Sequence, residues 1–194
     1  MPALDEIIAR VEDRYAGPGF TARFFQTSIL KAIEVTDTAS GQIFVKRPGM
    51  MRWEYEHPEQ QTIVTDGKTL WIYRPEDHQV MIGKAPTFFG DGKGAGFLSD
   101  IRQIQNQFLI SLENRDPNGD YRLKLFPVEK TFDIALITLT VSARTFDIIN
   151  IITYNAYNDE TRIALSDIQL KPKLDDQLFT FQIPEGVEIL YLDE

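Results

Sequence analysis

The chain of 194 residues contains no cysteine, which excludes disulfides, thiolate metal sites, a cysteine nucleophile and lipid attachment through an N-terminal Cys. Histidine is nearly as scarce. His57 and His78 sit among charged neighbours on or beside strand-like segments and read as surface residues. No Gly-x-Ser-x-Gly elbow occurs. Gly92-Lys93-Gly94 lacks the Ser or Thr that a phosphate-binding loop needs after its lysine. Asp116, Asn118 and Asp120 have calcium-loop spacing, but the glycine is out of place and no Glu completes the ring, so they read as a turn. The pair Asp175-Asp176 lies in a polar linker with no sign of burial. A catalytic set, a cofactor site and a metal site are therefore not expected.

Positive clusters are also missing. Lys and Arg total 20 against 29 Asp and Glu, a net charge of −9. That balance argues against nucleic acid and against attraction to anionic headgroups, so any lipid must be met through apolar surface. No run approaches the ~18 apolar residues of a membrane helix. Met1-Pro2-Ala3-Leu4-Asp5-Glu6 holds no secretory apolar region, which suits either a cytosolic chain or one whose leader was replaced by a new start. No linker, repeat or low-complexity tract divides the sequence, and one domain over residues 1–194 is expected.

What is present is mostly period two. Leu4, Ile7, Ile8, Val11 and Tyr15 first predict an amphipathic helix, ended by Gly17-Pro18-Gly19. Strands are then predicted over Phe20–Ile29, Gly41–Arg47, Met51–Glu56, Thr62–Thr65, Thr69–Arg74 and His78–Ile82, with Asp66-Gly67 a hairpin signal. Residues 83–96 form a glycine-rich loop carrying Phe88-Phe89. Phe97, Leu98, Ile101, Ile104, Phe108 and Leu109 then recur at helical spacing, with Ser99 as the cap. Further strands are predicted over Tyr121–Phe126, Phe132–Val141, Thr145–Thr153, Thr161–Leu170 and Leu178–Ile183. This pattern implies a strongly curved antiparallel sheet with two helical segments over its open side.

Phe132–Val141 and Thr145–Thr153 are apolar on both faces. Such strands are either covered on both sides or line a cavity. Arg47 shares the face of Ile43 and Val45 and precedes Pro48, which favours extended backbone. An arginine continuing an apolar stripe either reaches water at the strand end or finds acceptors. Its planar fork suits several carbonyl oxygens, and helix C-termini leave carbonyls free.

Four segments resemble the bacterial outer-membrane lipoprotein carrier family, LolA. They are Phe20-x-x-x-Phe24-x-Gln26; Val45-Lys46-Arg47-Pro48 followed by Arg52-Trp53-Glu54; Asp66-Gly67-Lys68-Thr69-Leu70-Trp71-x-Tyr73; and Phe179-Thr180-Phe181-x-x-Pro184-x-Gly186-Val187. The resemblance implies a mainly β fold, an unclosed antiparallel barrel of about eleven strands with a helical lid, working in the periplasm after loss of a leader. It implies a non-enzymatic chaperone, expected as a monomer. Such a chaperone takes lipoproteins by their acyl chains from an inner-membrane lipoprotein-releasing transporter to an outer-membrane lipoprotein receptor. Arg47 would lock the lid through bonds to helix-segment carbonyls. Phe24, Trp53, Trp71 and Ile149 are the expected cavity lining. Met51, where the family often carries an aromatic residue, is the expected partner contact. The alternatives are a module for another lipid or glycolipid and an envelope sensor domain of the same fold.

Overall fold

The computed structural model describes residues 2–85, 96–130, 133–171 and 173–192. The helix α1 spans Leu4–Arg14, with Asp5 and Glu6 in its first turn and Arg14 in its last, both favourable to the helix dipole. Next come β1 (Gly19–Leu30), β2 (Val35–Lys46), β3 (Met50–His57), β4 (Gln61–Thr65), β5 (Thr69–Arg74) and β6 (Gln79–Lys84). After 3-10 turns at Gly96–Ser99 and Ile101–Gln103, a single α-helical turn α2 covers Ile104–Gln107. The chain continues through β7 (Phe108–Leu112), β8 (Tyr121–Pro127), β9 (Leu136–Val141), β10 (Ile148–Tyr154), β11 (Glu160–Lys171) and β12 (Glu188–Tyr191).

Among the described residues these form one twelve-stranded sheet in the order β12-β6-β5-β4-β3-β2-β1-β11-β10-β9-β8-β7. The ladder does not close, as expected. All pairs are antiparallel except β12 on β6. Tight turns set the meander. At Asp66-Gly67, for example, Asp66 Oδ1 accepts from the amides of Lys68 and Thr69, and Gly67 takes φ +93.

The structure corrects several expectations. The helix expected over residues 97–109 is broken. Asp100 rather than Ser99 accepts the capping amide, from Arg102. From Phe108 the chain pairs with β8, Leu109 opposite Phe126 and Leu112 opposite Leu123. A short apolar run fits either period, and the ladder decides. Residues 178–183 are not a strand. Asp175 caps a 3-10 turn at Asp176–Phe179, and irregular extended chain follows as far as β12. β9 starts at Leu136, and β10 starts only at Ile148 because Ser142–Phe146 turns, with Ser142 Oγ accepting from Arg144 and Thr145. The glycine-rich stretch 86–95, with Phe88 and Phe89, and residue Phe132 lie outside the described residues.

The inner face carries the main core: Phe20, Ala22 and Phe24 of β1, Ile43 and Val45 of β2, Met51 and Trp53 of β3, then Leu123, Leu139 and Ile151 across β8 to β10. The outer face of β2 to β6 has its own cover, the C-terminal strap of residues 173–187. Phe179 there is fully buried, and the Phe181 ring lies 5.3 Å from that of Tyr73. Lys46 Nζ donates to Leu174 O at 2.7 Å and pairs with Asp176, while Arg52 Nη1 donates to Leu178 O at 3.1 Å. Replacing Phe179 with Ala should cost about 3–5 kcal/mol of stability in denaturant unfolding, the loss expected for a fully enclosed ring. A loss under 1 kcal/mol would show the strap to be dispensable.

Candidate functional site

The lid has two pieces. Ile7, Ile8 and Val11 of α1 fall three and four apart, so one stripe points into the open side of the sheet and is buried there. Phe97, Leu98, Ile101 and Ile104 enter beside them. Between lid and sheet remains a cavity of about 10 Å³, lined by Ile8, Val11, Ile101, Ile104, Leu123 and Leu139 among others, all apolar. Among the described residues, the lid side chains close onto the sheet at this point and leave room for about one water molecule.

Arg47 sits where the lid joins the sheet. Its amide donates to Pro18 O at 2.8 Å. Its guanidinium donates through Nε and Nη2 to Gly17 O, at 3.2 and 2.6 Å, and through Nη2 to Ala16 O. These carbonyls follow directly on α1, where the helix no longer supplies partners. Tyr15, Phe20, Val45, Leu98 and Ile101 surround the junction, so Arg47 lies against both lid pieces. Close by, the Arg102 guanidinium holds the Asp100 carboxyl below the usual range, with a smaller contribution from Arg47.

Two further anchors hold the end of α1. Arg14 grips Asp147 with both arms, Nε to Oδ1 at 2.7 Å and Nη2 to Oδ2 at 3.3 Å. Tyr15 Oη accepts from the Ile148 amide at 2.9 Å. Neither was marked in the sequence. The partner of Arg14 lies 133 residues away in the sequence.

The expected lining residues divide. Phe24 and Trp53 are both buried, their ring centroids 5.0 Å apart, and Tyr55 meets Phe24 at 4.9 Å. Trp71 pairs with Val64, which pairs with Arg52, so it occupies the face opposite Trp53. It lies on the strap side and not toward the cavity. Ile149 stands at a bulge between Ile148 and Asn150. The bulge lets Ile148 and Ile151 both point inward, and Ile149 stays half-buried outside the main core. Met51 is only 1% exposed, on the inner face with Val45. A partner docking on the folded surface does not reach it.

The family model for the outer membrane lipoprotein carrier protein LolA matches residues 18–182. The chain belongs to this family. The outer-membrane lipoprotein carrier protein of Nitrosomonas europaea is 32% identical over 172 residues, covering 88% of this chain and 82% of its own. That of Pseudomonas aeruginosa is 29% identical over 170 residues, covering 88% and 80%. Among solved structures, an uncharacterized conserved protein from Thermus thermophilus matches with a TM-score of 0.61 at 15% identity, over 96% of this chain and 98% of that one. A LolA superfamily protein from Nitrosomonas europaea gives 0.53 at 15% identity, over 93% and 99%. These two likenesses show the fold. Within this LolA member, the Lys46-Arg47 segment bridges strap and lid, Asp66-Gly67-Lys68 is a turn, and Phe179-Thr180-Phe181 is strap.

Burial pushes the Tyr55 phenol up to about 12, and burial likewise raises Tyr15. A raised phenol favours the neutral folded form, so this stability is present below the ordinary tyrosine range near ~10 and is lost as pH rises toward the folded value. Spectrophotometric titration of the native protein at pH ~11 should leave the Tyr15 and Tyr55 rings un-ionised. Full ionisation of all tyrosines in one ordinary step would contradict the packing described.

Proposed function

We propose that this protein is a periplasmic carrier that shelters the acyl chains of lipoproteins under its lid and ferries them from the inner to the outer membrane. The observation that carries the reading is the all-apolar space between lid and sheet, roofed by residues on two separable segments. The carrier names of relatives at about 30% identity over most of the chain support it. In this reading the transfer is non-enzymatic. The upstream partner is an inner-membrane lipoprotein-releasing transporter, and the downstream partner is an outer-membrane receptor.

Each buried methylene is worth ~0.8 kcal/mol, so one long acyl chain gains on the order of 10 kcal/mol in an apolar pocket. A carrier keeping all of that would never release. Here the same apolar walls are satisfied by lid side chains when cargo is absent, so loading exchanges one apolar contact for another. Arg47 adds a polar term to the closed side of that exchange. Each bond from a charged donor contributes about 1.5–3 kcal/mol, and the bonds to Ala16 and Gly17 support its role as lid lock. Phe24 and Trp53 remain the proposed lining.

Replacing Arg47 with Leu removes those bonds and leaves the strand pairing intact. The variant should fold, load lipoprotein and release it to outer-membrane vesicles at least about tenfold more slowly, a change of about 1.4 kcal/mol. Release at the normal rate would sink the lid-lock role. Native mass spectrometry of protein taken from the periplasm tests the cargo: bound triacylated lipoprotein supports the carrier reading, and bound free lipid overturns it.

A further inference from the structure

An unclosed sheet has two edges, and here they are β12 and β7. Proteins guard such edges with charge, proline or bulges, because an open row of N–H and C=O groups accepts further strands. β12 is guarded: it opens on Glu188 and is followed in sequence by Asp193-Glu194. β7 is Phe108-Leu109-Ile110-Ser111-Leu112, with no charge, no proline and no glycine. Among the described residues no strand pairs with its far side.

Register shows which groups are open. Glu113 N donates to Arg122 O at 2.8 Å and Val128 N to Gln107 O at 2.9 Å, so the odd-numbered residues of β7 exchange bonds with β8. The N–H and C=O of Ile110 and Leu112 therefore point away from the sheet, while their side chains pack on the core. The outer face carries the alternate set. Leu109 is 69% exposed, directly opposite Phe126 at 44%, and Val128 is 58% exposed. An apolar patch thus runs up to an open backbone row. Beside it, Arg122 and Lys124 stand 3.8 and 2.6 Å from the same carboxylate, Glu113. With two cations to that one carboxylate, this corner of an acidic molecule is locally positive.

We propose that the free edge of β7 is a docking site for an extended, acidic segment of a partner protein, which adds to the sheet as one more strand. The backbone of Ile110 and Leu112 supplies the hydrogen bonds. Apolar side chains at alternate positions of the segment cover Leu109 and Phe126, and its carboxylates meet Arg122 and Lys124. A second copy of the chain fits less well. Two β7 strands paired about a twofold axis engage five residues a side, where stable pairs of proteins use about 20–30. Each copy also carries a net charge of −9, which repels the other. A short acidic segment instead feels mainly the cations within a Debye length of ~10 Å. Met51, expected to meet a partner, is enclosed, whereas this edge is open. The docking site does not depend on the cargo proposed above.

The test is amide NMR of the full chain titrated with the peptide acetyl-Glu-Val-Thr-Val-Glu-Val-Thr-amide, and with the same peptide carrying Lys in place of both Glu. Saturable shifts along β7 are expected in the millimolar range, with the lysine peptide weaker. Exchange of the Ile110 and Leu112 amides should be fast in the free chain and slow about tenfold once the peptide exceeds its Kd by about tenfold. Ile110→Pro removes an outward N–H that β8 does not use, and Leu109→Glu sets a repelling carboxylate on the patch. Each should weaken binding about tenfold, and the second covers the case in which the proline variant folds poorly. No saturable shift, protected Ile110 and Leu112 amides in the free chain, equal or tighter binding of the lysine peptide, or unchanged binding in both variants would overturn the proposal. So would a dimer of the free chain that Leu109→Glu dissolves, which would assign the edge to a second copy.

Discussion

A sheet that curls without closing leaves an apolar inner face that nothing in its own ladder covers. That constraint governs the rest of the molecule. Ile7, Ile8 and Val11 of α1, with Phe97, Leu98, Ile101 and Ile104, supply the cover, and at about 1.5–3 kcal/mol per enclosed side chain they gain on the order of 10–20 kcal/mol. This far exceeds what the Arg47 bonds contribute. Polar bonds alone do not hold the lid down. In the carrier reading proposed above they matter because exchanging lid for acyl chain nearly cancels the larger apolar term, and a few kcal/mol then weigh on a close balance.

The sheet is covered on both sides of β2 to β6, and β2 ends on residues that serve each cover. Successive side chains of a strand point to opposite faces. Lys46 therefore reaches the strap at Leu174 and Asp176, and Arg47 reaches the lid carbonyls. Gly19 packs between them: a Cβ there would stand 2.5 Å from Val45 O and 3.2 Å from Leu174 Cδ1. The close approach of strap, β1 and β2 leaves no room for a side chain.

Much of this was legible in the residues, and the failures have physical causes. Period-two stretches such as Met51-Trp53-Tyr55 marked real strands, and the parity of Ile43, Val45 and Arg47 placed Arg47 on the inner face with water or acceptors as its two options, of which the structure shows the acceptors Ala16 O and Gly17 O. Trp71 looked equivalent to Trp53 because aromatic residues announce burial without saying on which face. Only register separates them. Ile149 failed through a bulge, which adds one residue to one strand and leaves no trace in composition. Phe179 and Phe181 kept an alternating pattern because the strap is extended and lies flat on a surface, not because it joins a ladder. Met51 was misplaced when a family trait of its position was weighed above the alternation of its own strand.

The position of β1 has a consequence for how the chain reaches this state. β1 lies in the middle of the sheet, and one of its partners, β11, comes from the far end of the sequence, Gly19 opposite Lys171 and Ile29 opposite Glu160. During synthesis β1 to β6 can form a local meander, but one side of β1 waits unpaired until almost the whole chain has emerged. Pairings of such long range are slow to form, and an open strand edge carrying apolar side chains is a template for other chains in the meantime. The strand that organises the finished barrel is therefore its weakest point while the protein is being made.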